Sequence, residues 1–358
     1  MEHNWVLYIA AFSTAFAVSN VFTPVAKVIS HKVGAIDYPK ARGMHSEPMP
    51  RMGGLAIVIG FMFTVLLLYR FVEFGDTKKL IGFMIGATMI VVLGMFDDVY
   101  NLKARFKFFI QILAALVAVA SGVRIHVVMW PVTQVLTHLS GPITLLWIVG
   151  VTNAVNLIDG LDGLAAGVSS IAALSLMVLC ILTGEEVAIL LTAALAGSCL
   201  GFLPRNFNPA QIFMGDTGAT FLGYTLAVTS ILGVFKGYAM LALVVSMLCL
   251  GLPIFDTVFA MVRRYAKGQS IMQADRGHLH HRLIDRGFST KQAVGILYAI
   301  STVCGVLAIL LAIKDAKVAV VIIFMVFVMS LVIYFFNHRH VEEKKKKKLR
   351  VKKKTNND

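Results

Sequence analysis

Charge is scarce in this chain. Only 15% of its 358 residues are Asp, Glu, Lys or Arg, against about 25% in an average soluble domain. Proline is thin at 9 residues and tryptophan thinner at 3. Cysteine is limited to Cys180, Cys199, Cys249 and Cys304. All four sit inside long apolar stretches, so they offer neither a disulfide framework nor paired metal-ligand spacing. These shortages accompany 58% AVILMFWYC and a mean hydropathy of +0.80. Together they exclude an ordinary soluble enzyme, a disordered chain and a basic nucleic-acid module. The net charge of +14 imitates a nucleic-acid signal. Yet residues 337–358 alone hold ten basic and three acidic residues, 10 − 3 = +7. Half the surplus belongs to a tail, and no nucleic-acid partner is expected.

A helix needs about 20 mostly apolar residues to cross the hydrocarbon core. Long runs without a charged residue are 4–26, 52–69, 80–96, 108–123, 125–158, 163–184, 187–204, 217–235, 237–255, 292–313 and 318–338. The fifth is too long for one helix and carries Trp130-Pro131, His138 and Gly141-Pro142. It reads as an external loop over 125–142 and a span over 143–158. Backbone groups in lipid must be satisfied internally, so the runs are helices. The expected fold is an all-α polytopic membrane protein of about 11 spans, with a membrane domain over 1–336 and a basic tail over 337–358. The first run has no basic n-region before it and reads as a retained span.

Basic residues orient the spans. With the tail cytoplasmic, the inner segments hold 26 Lys and Arg, and the outer ones hold seven: Arg70, Lys78, Lys79, Arg124, Lys236, Lys314 and Lys317. The positive-inside rule places the C-terminus inside and the N-terminus outside. On this topology Asp97, Asp98, Asp159, Asp162, Asp216 and Asp256 all fall at run ends on the cytoplasmic side. Acids beside lipid are costly and face a protein interior or a watery cavity. Lys103, Arg105, Lys107, Arg263, Arg264 and the 276–282 stretch lie at the same level. Acids and bases gathered at one interface point to a metal-and-phosphate site. A transporter would hold its ionisable groups nearer the midplane, and a scaffold recruiting partners through its tail would leave the acids idle.

Four segments carry the constellation. Asp97-Asp98 implies a cation or a raised pKa if the two share a cleft; a solvated helix end is the plainer reading. Asn156, Asp159 and Asp162 recur every three residues, which predicts neighbours on a helical turn, among glycines that permit close approach. Beyond Asn206, the stretch Gly215-Asp216-Thr217-Gly218 opens an apolar run. There Asp216 or Thr217 suits an N-cap, or the turn suits phosphate and a Mg²⁺ carboxylate ligand. The fourth, His278-Leu-His280-His281-Arg282, has no cysteine nearby and arginine neighbours, which favours phosphate over zinc.

In this order the segments resemble the polyprenyl-phosphate N-acetylhexosamine-1-phosphate transferase family, from about His45 to Arg282 with a matching span count beyond. The His278-Leu-His280-His281-Arg282-Leu form is similar to the GlcNAc branch. Pro50-Arg-Met-Gly-Gly54 and Pro253-Ile-Phe-Asp256-Thr look most like its teichoic-acid initiating members. The resemblance implies transfer of GlcNAc-1-phosphate from UDP-GlcNAc to undecaprenyl phosphate at the cytoplasmic face of a bacterial cell membrane. It also implies a requirement for Mg²⁺, with Mn²⁺ as a substitute. Position by position, Asp216 matches the Mg²⁺ carboxylate, with Asn156 as a second ligand. Asp97 matches the residue that deprotonates or orients the lipid phosphate, with Asp98 beside it, and Lys107 matches a lysine near the phosphates. Asp159, Asp162 and Asn206 match positions around the nucleotide, and His278, His280, His281 and Arg282 match the pyrophosphate-binding loop. Direct attack by the lipid phosphate and an aspartyl-phosphosugar route both fit these residues. The basic tail is expected to be disordered and to lie against anionic lipid, and a homodimer is compatible with the sequence.

Overall fold

The computed structural model describes residues 4–38, 47–72, 77–125, 133–234, 239–266 and 278–313. The Asn4 side-chain oxygen accepts the Leu7 N–H (3.2 Å) and starts α1, Trp5–Val33. Gly34 ends it at φ 74°, its N–H turned back to the Ser30 and His31 carbonyls, the left-handed stop that glycine permits. A two-residue hairpin follows, β1 (Ile36–Asp37) antiparallel to β2 (Met49–Pro50) with Ile36 opposite Pro50. The remaining helices are α2 (Gly54–Leu68), α3 (Thr77–Tyr100), α4 (Ala104–Ala120), α5 (Thr133–Ile158), α6 (Leu164–Thr183) and α7 (Glu186–Asn206). They continue with α8 (Gly215–Val234), α9 (Ala239–Cys249), α10 (Gly251–Ala266), α11 (Leu279–Ile284) and α12 (Thr290–Ala312).

Seven of these are long and apolar enough to cross a membrane. They are α1, α2 extended to Phe71, α3, the His138–Ile158 part of α5, α6, α7 and α12. The protein is therefore an all-α multi-pass membrane protein. The expected run at 318–338 and the tail at 337–358 lie outside the described residues.

Two runs fold differently from their sequence reading. The stretch 125–142 is not wholly loop, because α5 begins at Thr133 and passes through Pro142. Ser140 donates its hydroxyl to the Ile125 carbonyl (2.7 Å), and Thr144 accepts the Ile125 N–H (2.8 Å). These hydroxyls satisfy buried backbone groups around the point where proline removes a helix donor. The run 237–255 is not one helix either. Pro253 has no N–H for the Cys249 carbonyl and its ring crowds that position. The helix breaks there, and α10 restarts at Gly251 and continues past Asp256.

The centre of the bundle is α8, which packs against α2, α3, α5, α6 and α7. Its residues from Thr217 to Ile231 are buried. Small residues allow this closeness, as is usual where helices associate in lipid. A Cβ at Gly54 of α2 would strike the Gly218 backbone, and one at Gly94 of α3 would strike Thr217. Both contacts fall at the first turn of α8, so the tightest packing sits beside Asp216.

Candidate active site

Asp97 and Asp98 lie side by side on the last turn of α3, both buried, and they do different work. Asp98 Oδ1 accepts from Arg51 Nε (3.2 Å) and the Asp216 N–H (2.9 Å). Its Oδ2 accepts from the Thr217 N–H (3.1 Å) and the Thr217 hydroxyl (2.6 Å). All the lone-pair positions of the carboxylate are filled. Three of the four donors belong to the start of α8, so Asp98 caps a helix from a distant part of the chain, where the helix dipole favours negative charge.

Asp97 faces the other way. Its Oδ1 accepts the Leu102 N–H (2.7 Å), and its Oδ2 accepts from the Lys107 ammonium (2.8 Å). The same ammonium reaches Asp216 Oδ2 at 2.6 Å. Lys107 thus bridges two carboxylates, one from α3 and one from α8.

The hairpin is what holds Asp216 in place. Phe213 donates its N–H to the Pro50 carbonyl (2.8 Å). Gly53 and Gly54 donate theirs to the Phe213 and Met214 carbonyls (2.9 and 2.8 Å). This ladder leads into Gly215 at φ 72°, against which the Arg51 carbonyl and the Asp98 carboxylate press so closely that no Cβ fits. Only glycine meets both demands.

The second acidic segment is a turn rather than a helical face. Helix α5 ends at Ile158, and Gly163 (φ 78°) precedes α6. Asn156 therefore sits half-buried on the last turn of α5, while Asp159 and Asp162 lie in the connection. The glycines that suggested close approach also end the helix before the three-residue spacing can act. Asp162 Oδ2 accepts from Asn208 Nδ2 (2.9 Å) and the Ala210 N–H (3.1 Å). Asn206 is buried and spent on backbone at both ends. Its Oδ1 accepts the Gly163 N–H (3.1 Å), and its Nδ2 donates to the Ile212 carbonyl (3.0 Å). Tyr298 on α12 donates its hydroxyl to the Gly163 carbonyl (2.6 Å). Asp159 stays uncommitted among the described residues, and its pKa is pushed up to about 7. Desolvation is the largest cause, followed by the charges of Asp216, Asp98 and Asp162; Arg51 pulls the other way.

The histidine segment closes on this turn. Asp256 on α10 pairs with His278 (Oδ2 to Nδ1, 2.9 Å) and accepts the Leu279 N–H at Oδ1 (2.8 Å). His280 is buried with its ring against Gly160, close enough that a Cβ there would strike Nε2. Burial, then the neighbouring His281, pushes the His280 pKa down to about 4, so this ring is neutral at pH 7. Its centroid stands 5.8 Å from that of His278 and 4.3 Å from that of His281. Arg282 is exposed, and residues 276–277 lie outside the described residues.

Asp97, Asp98, Lys107 and Asp216 are thus in direct contact, Asp159 is within electrostatic reach, and His280 joins the fourth segment to the second. No side-chain hydrogen bond ties Asn156 to them among the described residues. Sequence reasoning gave no role to Arg51, Asn208 or Tyr298, and saw in Thr217 only a candidate N-cap. The signal for Arg51 is the glycine pair at 53–54, which marks close backbone approach.

The donor set suits a hard cation. Among the described residues, five carboxylates (Asp97, Asp98, Asp159, Asp162, Asp216) and two cations (Arg51, Lys107) surround the centre, an excess of three negative charges when all five acids are ionised. The raised pKa of Asp159 reflects burial first and that crowding second. No three His, Cys, Asp or Glu side chains converge as a ready-made metal cage among the described residues. Mg²⁺ commonly takes one or two protein carboxylates and completes its shell with phosphate and water, and Asp216 and Asp159 are the carboxylates that could serve it here.

Known proteins are similar to this chain in sequence. Residues 80–234 match the model of glycosyl transferase family 4. A Bacillus subtilis protein named probable undecaprenyl-phosphate N-acetylglucosaminyl 1-phosphate transferase is 39% identical over 331 residues, covering 92% of this chain and 91% of its own. The decaprenyl-phosphate N-acetylglucosaminephosphotransferase of Mycolicibacterium smegmatis is 34% identical over 80% of this chain and 77% of its own. An undecaprenyl-phosphate alpha-N-acetylglucosaminyl 1-phosphate transferase of Yersinia pestis is 25% identical over 80% and 78%. The carboxylate centre spans the matched family region, and the first two relatives extend across most of the chain. The chain belongs to the polyprenyl-phosphate N-acetylhexosamine-1-phosphate transferases of glycosyl transferase family 4.

Proposed function

We propose that this enzyme transfers GlcNAc-1-phosphate from UDP-GlcNAc to undecaprenyl phosphate at the cytoplasmic face of a bacterial cell membrane. The products are undecaprenyl-diphospho-GlcNAc and UMP, in the first membrane step of a wall glycopolymer such as teichoic acid. The observation that carries this reading is the Asp97–Lys107–Asp216 bridge beside Asp159, which has no side-chain partner among the described residues, at the ends of membrane helices where a lipid phosphate can reach it.

An oxygen of the lipid phosphate attacks the β-phosphorus of the donor, and the bond from that phosphorus to the bridging oxygen breaks. UMP leaves with the bridging oxygen. The attacking group is already anionic at neutral pH, so bringing anions together is the larger obstacle. Lys107 supplies positive charge where the phosphates meet. Asp97, with both oxygens engaged by Leu102 and Lys107, holds that ammonium in place rather than removing a proton. Mg²⁺, held by Asp216 with Asn156 or Asp159 nearby, would neutralise the diphosphate and polarise the phosphoryl group. Asp159 and Asp162 shape the nucleotide side of the cleft, Asn206 holds their turn, and His278, His280, His281 and Arg282 face the diphosphate.

The test is UMP release by purified protein given UDP-GlcNAc, undecaprenyl phosphate and Mg²⁺, with EDTA as control. Absence of UMP with all three present sinks the assignment. UDP-MurNAc-pentapeptide in the same assay checks the choice of sugar.

A further inference from the structure

We infer that Arg51 is a further phosphate-binding residue of this site, held ready by Asp98 and Asn101, and that its ligand is a phosphoryl oxygen of one of the two substrates. This rests on the phosphosugar-transfer reading and goes beyond it by naming a cation on the hairpin side.

Arg51 directly follows β2 and is anchored through its main chain as well as its side chain. Its N–H donates to the Ala35 carbonyl (3.1 Å), and its carbonyl packs on Gly215. Nε donates to Asp98 Oδ1 (3.2 Å) and Nη1 donates to Asn101 Oδ1 (3.2 Å). A guanidinium has five N–H groups, and these two bonds leave three. Those three make no other hydrogen bond among the described residues. The side chain is 18% exposed, and its charge is felt by Asp159 across the centre. Two fixed points hold the guanidinium plane, and Nη2, which makes no hydrogen bond among the described residues, is the nitrogen left to meet a phosphoryl oxygen.

Asn101 is an independent sign of this arrangement. It has φ 49°, the one positive value outside glycine among the described residues. Asparagine tolerates that conformation better than most residues. Here it places the side-chain oxygen on Arg51 at the end of α3. A charge argument points the same way. Lys107 is shared between Asp97 and Asp216, so it cannot by itself offset the charges of donor and acceptor. Among the described residues, Arg51 is the other cation touching this cluster, and three of its N–H groups make no hydrogen bond there.

Removing the Arg51 side chain should leave the fold standing. Asp98 keeps three of its four donors, all from Asp216 and Thr217, and the backbone bonds of Arg51 persist. Binding is measured directly, as the ligand-dependent rise of the unfolding midpoint, with UDP-GlcNAc and undecaprenyl phosphate in separate arms. Arg51→Met is expected to raise the Kd of one ligand about 10- to 100-fold, the range for losing a hydrogen bond to a charged group. The arm that moves identifies the phosphate read. Arg51→Lys keeps the charge without the fork and should fall between Met and wild type. Asn101→Gly keeps the backbone conformation but frees the guanidinium, and should raise the same Kd by a smaller factor. It decides the matter if Arg51→Met does not fold. Kd values within twofold of wild type for both ligands, in whichever of these variants folds, would overturn the inference. A wild-type protein that binds these ligands but releases no UMP would instead count against the transfer reading, and the binding comparison would still decide the role of Arg51.

Discussion

Replacing Lys107 with methionine keeps most of the side-chain volume and removes one charge from between two carboxylates. The ammonium lies 2.8 Å from Asp97 and 2.6 Å from Asp216, and its side chain is only 23% exposed. Two short charge-assisted bonds are lost together, and the centre goes from five acids and two bases to five acids and one. Removing one preorganised donor from a developing oxyanion costs about 100- to 1000-fold in kcat, so a drop in that range is expected for Lys107→Met. The charge argument adds a less obvious expectation. With the lysine gone, Asp97 and Asp216 compete harder for a divalent ion, so half-saturation should occur at a lower Mg²⁺ concentration even as turnover falls. Both readouts come from UMP release in detergent micelles across a Mg²⁺ series, with circular dichroism to verify helix content. Turnover within threefold of wild type, or a weakened Mg²⁺ response in a folded variant, would refute the reasoning.

Further expectations concern the scaffold and the pH response. Thr217→Val removes the 2.6 Å hydroxyl bond to Asp98 and should cost about 1–2 kcal/mol, seen as a lower unfolding midpoint. Gly54→Ala drives a methyl group into the Gly218 backbone and should cost about 3 kcal/mol, read as loss of monodisperse protein on size exclusion. The raised pKa of Asp159 means the folded state keeps a proton that the unfolded chain has released. Its contribution to stability therefore declines as pH rises from about 4 to about 7. The lowered pKa of His280 slopes the opposite way between about 4 and 6.5. The clean comparison is wild type against Asp159→Asn without metal: the variant should gain stability relative to wild type as pH rises from 5 to 8, and parallel curves would count against this reading. Exposed Arg70 and Lys103 are expected on opposite sides of the membrane. Single cysteines at these positions should be labelled by an impermeant reagent from different faces, and labelling of both from one face rejects the orientation.

The membrane helices were legible because lipid imposes a composition that shows along the chain. The site was legible as a set of segments, since acids are expensive beside lipid and few positions hold them. What each acid does was not. Asp98 looks like a reactive partner of Asp97 in sequence, yet its donors lie 47 and more than 100 residues away. The spacing of Asn156, Asp159 and Asp162 is helical in number, but glycine ends the helix first. The break between α9 and α10 is invisible to hydropathy, because the run 237–255 holds no charged residue. The one local cue was Pro253, which denies a hydrogen bond to the residue where α9 ends.

The ladder joining the hairpin to residues 213–214 bears on how this enzyme can be divided. Residues 80–234 contain all five carboxylates of the centre together with Lys107, and they are the stretch that the family model matches. A fragment cut to those bounds would lack Pro50, Gly53 and Gly54, against which the approach to Asp216 is pinned. It would also lack Tyr298, whose hydroxyl tethers the turn carrying Asp159 and Asp162, and His280, which packs on that turn. The five carboxylates and Lys107 fall within one stretch of sequence, while the groups that pin them come from both flanks. Any minimal version of the enzyme must therefore reach from before Pro50 to beyond Tyr298.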